Sequence, residues 1–339
     1  MNRKLLALAV TAALAAPLAA QAAPTVYGQL NLSVDMVDQE SSGDVSPAPG
    51  VQTTDEWQVN SNSSRLGVKG EEDLGNKYSA VYKAEFGVDA DTASGLTGRD
   101  RYLGLKSTWG TVKLGAFDSA LKTAQGNVDQ FNDMTFTDMG NYFAGENRMD
   151  NVIGYESPKI ADAVTIKVNL QPGEDTAGGN DSPADGISAS VAYDAAGLYL
   201  ALALDNGVSN GAFNDATNRD AMRLVATYTM DALQLGAMLQ TSENSDDLAA
   251  GGQDDEEGLL VSAAFTMGKN VLKGQLAMVN RDFGGGAELD GMFVGVGADH
   301  NFTDMTKAYA QVSVLSIDNA GAAADTDDTV LTVGMQTKF

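Results

Sequence analysis

The chain has 339 residues, no cysteine, one histidine and a net charge of −25 from 46 acidic and 21 basic side chains. That sign disfavours nucleic-acid partners, the missing cysteines remove disulfide staples and thiol chemistry, and a single His300 has no second histidine with which to form a His-based catalytic pair. No Pro-rich or Ser-rich linker divides the chain, so one domain is expected over residues 23–339.

At the amino terminus Arg3 and Lys4 precede an apolar run from Leu5 to Ala16 and the small-residue pattern Ala20-Gln21-Ala22. This is the layout of a secretory signal peptide, assigned to residues 1–22. Nothing downstream approaches the roughly 20 apolar residues that a membrane-spanning helix requires.

From Thr25 onward the pattern is short strands between Gly, Asp and Asn turns. Strands are predicted near 25–36, 57–70, 77–87, 99–107, 110–117, 148–157, 162–170, 186–194, 197–204, 219–229, 231–240, 258–267, 269–280, 291–301, 304–315 and 329–339, sixteen in all. The last shows the reason: Leu331, Val333, Met335 and Phe339 share one parity, while Thr332, Gly334, Gln336 and Lys338 share the other. A strand sends alternate side chains to opposite faces, so one face suits lipid and the other water. Val164, Ile166, Val168 and Leu170 alternate in the same way with Thr165, Lys167 and Asn169.

Tight connections such as Ser107-Thr108-Trp109-Gly110, Asp194 to Gly197 and Met267 to Asn270 take turns with long ones. An even strand number, short turns at one end and long loops at the other define an all-β, 16-stranded antiparallel transmembrane β-barrel, with the short end in the periplasm. A barrel that wide is not filled by side chains, so its polar interior should hold water and form a pore.

The long connections (37–56, 87–98, 118–147, 171–185, 205–218, 241–257, 281–290 and 316–328) carry 32 of the 46 acids and only Lys122 and Arg281 in opposition. They sum to −30, while the chain without Arg3 and Lys4 sums to −27, which leaves +3 for strands and turns. One mouth is therefore strongly acidic, a field that attracts cations although it is screened beyond about 8 Å. The competing reading is that the acidic loops serve solubility.

Several runs then resemble the general porins of Gram-negative outer membranes. They are Ser63-Ser64-Arg65-Leu66-Gly67-Val68-Lys69-Gly70-Glu71-Glu72-Asp73-Leu74-Gly75, Arg101 to Lys106, Gly110 to Gly115, and Asn147 to Pro158, with Val26-Tyr27-Gly28 and the terminal Phe339 in support. The likeness spans residues 23–339 and is most specific in the first 160 residues. It implies a homotrimer of barrels in outer-membrane lipid and lipopolysaccharide that passes small hydrophilic solutes and ions, with the third long loop folded into each pore. Acidic residues of that loop would face a basic ladder on the opposite wall.

On this sequence the resemblance places the acidic side at Asp129 and Asp133, and the basic side at Arg65, Lys83, Arg101, Lys106 and Arg148. Arg65 and Lys83 lie mid-strand on the polar parity; the other three lie nearer strand ends. The ladder is thin, because Ala116 and Gln29 stand where relatives commonly place basic residues, and this points towards cation preference or weak selectivity rather than anion preference.

No cofactor or metal is expected. The acidic runs Asp246-Asp247, Asp254 to Glu257 and Asp325 to Asp328 lack the ligand spacing of a dedicated calcium loop, and Gly284-Gly285-Gly286 has no strand-to-helix context for cradling phosphate. Tyr142-Phe143 should pack the third loop against the wall rather than track a sugar. An enzyme is not expected. A substrate-selective channel and a surface-display or adhesin barrel stay open as alternatives.

Overall fold

The computed structural model describes residues 23–42, 52–93, 95–173, 182–209, 218–245, 253–283, 287–320 and 325–339. The signal-peptide assignment at 1–22, the run Asp246-Asp247 and the triplet Gly284 to Gly286 fall outside the described residues.

Seventeen strand segments form one antiparallel sheet: β1 (Thr25–Ser42), β2 (Gln52–Ser61), β3 (Arg65–Gly75), β4 (Tyr78–Val88), β5 (Leu96–Ser107), β6 (Gly110–Asp118), β7 (Arg148–Glu156), β8 (Val164–Gln171), β9 (Gly186–Ala195), β10 (Leu198–Ser209), β11 (Asn218–Met230), β12 (Leu233–Asn244), β13 (Gln253–Met267), β14 (Asn270–Phe283), β15 (Ala287–Asn301), β16 (Thr306–Ala320) and β17 (Asp325–Lys338). β2 and β3 are two halves of one barrel strand. Both pair with β1, β2 from Leu32↔Ser61 to Ser41↔Gln52 and β3 from Thr25↔Lys69 to Gln29↔Arg65. Ser63, with φ of 51°, breaks the ladder between them. The barrel therefore has the sixteen strands that the alternation predicts, and it closes where β17 pairs with β1 from Gln29↔Lys338 to Ser42↔Asp325.

The strands run past their predicted ends on the long-loop side. β1 reaches Ser42 rather than residue 36, β13 starts at Gln253 rather than 258, and β16 reaches Ala320 rather than 315. Apolar alternation marks only the stretch that meets lipid, whereas backbone pairing continues above it; Glu40 stands opposite Asp327 on this upper wall. Part of the acidity assigned to loops thus stands on sheet.

The faces separate as expected. Gln29, Asn31, Ser33 and Asp35 are buried on the inner side of β1, while Leu30, Val34 and Met36 are exposed on its outer side. On β17 Thr332 is buried and Val333 is 55% exposed. Two of the tight turns use left-handed backbone at both central residues, Asn76 and Lys77 (φ 52° and 68°) and Ala196 and Gly197 (φ 53° and 80°), which matches the twist of the paired strands.

Among the described residues, the connection between β6 and β7 is the one that folds inward. It holds a single helical turn, α1 (Ala120–Thr123), capped by Ser119 Oγ accepting from Lys122 N, and a 3₁₀ turn (Met139–Asn141) capped by Asp138. Its Leu121, Val128, Phe131, Met139, Tyr142 and Phe143 bury against Val225, Met238, Leu260, Phe293 and Tyr309 on the inner faces of β11 to β16. Tyr142 stacks on Phe293 with ring centroids 4.9 Å apart, the packing role expected for Tyr142-Phe143. Glycine on the wall makes room: a Cβ on Gly258 would lie 2.1 Å from a Phe143 ring carbon.

The outer face carries a direct test. Val333→Arg puts a charge amid the exposed Leu331, Val333 and Met335 and should destabilise the barrel in lipid vesicles by about 2–4 kcal/mol, read from guanidinium unfolding.

Candidate functional site: the pore constriction

The loop seals one side of the lumen, so the open side is bounded by β1 to β7 and by the loop's outer edge. The space there, about 520 Å³, is lined by Arg65, Lys83, Glu85, Arg99, Asp100 and Asp133, among others. Arg65 opens β3, facing inward beside Gln29 of β1. Its Nη1 lies 2.7 Å from Asp133 Oδ2, a charge-assisted contact between wall and loop. Asp133 has a left-handed φ of 69°, and its N–H donates to Asp138 Oδ2 at 2.7 Å. The turn that presents Asp133 to the pore is thus held from behind by a second carboxylate.

On the wall, Lys83 of β4 lies 2.9 Å from Asp100 Oδ2 and 3.4 Å from Glu85 Oε2. Arg99 Nε donates to Glu85 Oε1 at 2.8 Å. Arg148, at the start of β7, reaches Asp100 at 3.0 Å and Asp118 at 2.7 Å, and Lys122 lies 3.9 Å from Asp118. These side chains are at most 27% exposed, so their mutual attraction is screened less than that of surface pairs.

The structure brings Arg65, Lys83, Asp133 and Arg148 together and corrects the other three candidates. Asp129 is buried away from the water: its carboxylate accepts from Phe131 N at 2.8 Å and from Met139 N at 2.9 Å, tying two turns of the loop together. Burial, with the nearby Asp138 charge, pushes its carboxyl up to about 7. Arg101 shares the exposed parity of Leu103 and Leu105 on the outer wall. Lys106 pairs with Glu71 at 2.9 Å, half exposed next to the β5–β6 turn, away from the constriction.

The residues that sequence reasoning missed are Arg99, Asp100 and Glu85. The β4–β5 register shifts between Ala84 and Phe86, so strict alternation counted back from Leu103 puts Arg99 on the wrong face. A bulge of this kind re-aims side chains. The Arg-Asp-Arg run Arg99 to Arg101 facing Glu85 was the only available signal.

A second set of charges anchors the loop. Arg223 of β11 is fully buried, 2.6 Å from Glu146 Oε1, and donates to the carbonyls of Leu121 and Ala144. Glu256 of β13 is also fully buried; it accepts from Ala144 N and pairs with Arg281 Nε at 3.0 Å, while Arg281 Nη2 donates to Tyr142 O at 2.7 Å. Arg281 and Glu256, counted above among loop charges, therefore neutralise each other in the lumen. Burial raises the Glu146 carboxyl, and Arg223 opposes that shift. His300 stays at a strand end, its Nδ1 2.8 Å from Asn270 Oδ1. Among the described residues no group of three or more His, Asp or Glu is placed to hold a metal ion.

A closed sixteen-stranded barrel with a lipid-facing exterior, a wet lumen and a charged eyelet narrowed by an inward loop is a passive outer-membrane channel. The family comparison agrees: the Gram-negative porin model matches residues 7–322, and the chain belongs to that family. It is 26% identical over 353 residues to the major outer membrane protein P.IB of Neisseria lactamica, covering all of both chains. Among solved structures it superposes on an anion-selective porin from Comamonas acidovorans with TM-score 0.73 at 23% identity, over 94% of this chain and 99% of that one. It also superposes on OmpT, an outer-membrane protein of Vibrio cholerae solved in trimer form, with TM-score 0.68 at 18% identity, over 94% and 100%. Such relatives are channels, not enzymes, and they place this chain in the outer membrane.

Removing one half of a buried pair leaves the other charge stranded. Arg223→Leu should therefore weaken docking of residues 119–147 by about 3–5 kcal/mol, seen as faster proteolysis of that segment in the folded barrel, while Arg223→Lys should retain part of the protection.

Proposed function

We propose that this porin is a general diffusion channel for small hydrophilic solutes and ions, with a preference for cations. The observation that carries the reading is the pairing of charge at the eyelet: Arg65, Lys83, Arg99, Lys122 and Arg148 share the carboxylates of Glu85, Asp100, Asp118 and Asp133, and Asp138 adds a fifth carboxylate to the lining. An anion entering the eyelet meets basic groups that are already engaged. A cation is drawn instead by the acidic long-loop mouth, whose connections other than the inward 118–147 sum to −26 in the sequence. Among the described residues no aromatic track of the kind a sugar channel would need lines this opening, the bases of its wall are each paired with a carboxylate, and Tyr142 and Phe143 are buried in the loop–wall interface.

In this reading the mature chain starts after a signal peptide at 1–22 and assembles as a homotrimer, in contact with outer-membrane lipid and lipopolysaccharide. The trimer form of the Vibrio cholerae relative supports the assembly.

A planar bilayer holding the purified protein under a potassium chloride gradient tests the preference. The reversal potential should carry the sign of a cation-selective pore, and Arg65→Ala, which leaves Asp133 without its 2.7 Å partner, should shift it further the same way. An anion-selective potential would refute the cation preference and place this chain beside the Comamonas acidovorans porin in selectivity.

A further inference from the structure

Two carboxylates of the eyelet stand on the basic wall itself, not on the loop that faces it. Asp100 uses both oxygens, Oδ2 towards Lys83 at 2.9 Å and Oδ1 towards Arg148 at 3.0 Å. Glu85 does likewise, with Oε1 on Arg99 at 2.8 Å and Oε2 on Lys83 at 3.4 Å, and it accepts from the Tyr27 hydroxyl at 2.7 Å. Cations and anions thus alternate along one continuous line, Arg99–Glu85–Lys83–Asp100–Arg148–Asp118. The register shift between β4 and β5 is what admits it, because Glu85, Arg99 and Asp100 reach the lumen together.

We propose that Glu85 and Asp100 are the residues that set the channel's ion preference, by turning the wall's row of positive charges into a row of ion pairs. The proposal deepens the reading of the channel as cation-preferring and rests on it for the sign in the unmodified protein. The physical reason is range. A field from the outer mouth is screened over about 8 Å at physiological ionic strength, whereas an ion in the eyelet passes within a few ångströms of this wall. Without Asp100, Lys83 keeps only the longer Glu85 contact and Arg148 keeps only Asp118; without Glu85, Arg99 loses its 2.8 Å partner. Each removal restores one net positive charge on the lining of the eyelet, and Asp100→Asn and Glu85→Gln do so with little change in side-chain volume.

The experiment compares potassium-to-chloride permeability ratios of the full-length channel in planar bilayers. The variants are Asp100→Asn, Glu85→Gln, Lys83→Met, and a mouth control, Asp327→Asn with Asp328→Asn. A unit charge at such short range in water changes the local concentration of a monovalent ion by about threefold. Asp100→Asn and Glu85→Gln should each move the ratio towards chloride by about threefold or more, Lys83→Met should move it towards potassium, and the mouth control should move it less than any of them. If Asp100→Asn and Glu85→Gln leave the ratio where the mouth control leaves it, the assignment is overturned. If neither variant assembles, Lys83→Met decides: a ratio unchanged or moved towards chloride overturns the assignment as well. A wild-type channel that prefers chloride, yet moves further towards chloride with Asp100→Asn, refutes the cation-preferring reading and upholds the role of the two carboxylates.

Discussion

The constraint on which the rest depends is that no backbone N–H or C=O can be left unpaired in hydrocarbon. A sheet meets it only by having no edge, and here the last strand returns to the first. Gly28 N donates to Phe339 O at 2.9 Å, Phe339 N donates to Gly28 O at 3.1 Å, and the ladder continues from Gln29↔Lys338 upward. Once closed, the period of two does the remaining sorting. Where β1 turns Leu30 and Val34 outward it turns Gln29, Asn31 and Ser33 inward, so one geometric rule yields a greasy exterior and a wet interior together.

A wet interior of sixteen strands would be a wide hole. It is narrowed because the inner faces of β11 to β16 break the polar rule, offering Val225, Met238, Leu260, Phe293 and Tyr309 to the inward loop. Apolar burial supplies the attraction, and the buried pairs Arg223–Glu146 and Arg281–Glu256 fix where the loop settles. Buried ion pairs contribute little net stability once desolvation is counted, yet they penalise misplacement strongly, since a shifted loop would strand a charge. The loop's opposite edge then meets Arg65 through Asp133. Apolar packing on one side of the barrel thus sets the charge geometry on the other.

The architecture was legible in the residues because lipid enforces alternation. Strand number, short turns and the inward parity of Arg65 and Lys83 all follow from a period of two. Strand ends were not legible, because above the lipid both faces are polar and Glu40 or Asp327 reads as loop although it sits on a ladder. The eyelet was half legible. Arg99 was missed because β5 carries an extra residue between Gly98 and Arg101, opposite the step from Ala84 to Phe86 on β4, which turns Arg99 inward although it shares its parity with the outward Arg101. Asp129 and Asp133, both in the loop and flanking Phe131, were indistinguishable by pattern; the fold separates them by burying one beneath two backbone amides and turning the other outward. Arg223 looked like any inward strand residue, and only the loop lying over it reveals its role.

Ions can meet this eyelet only if the loop lies across the conducting path. Asn141, exposed on the loop and lining the eyelet, offers the direct measurement, because the chain has no cysteine of its own and Asn141→Cys supplies the only thiol. Reaction with a bulky thiol reagent should lower single-channel conductance in steps while leaving the unmodified protein unaffected. Complete labelling with conductance unchanged would mean that ions pass elsewhere, and the eyelet described here would not be the channel's narrow point.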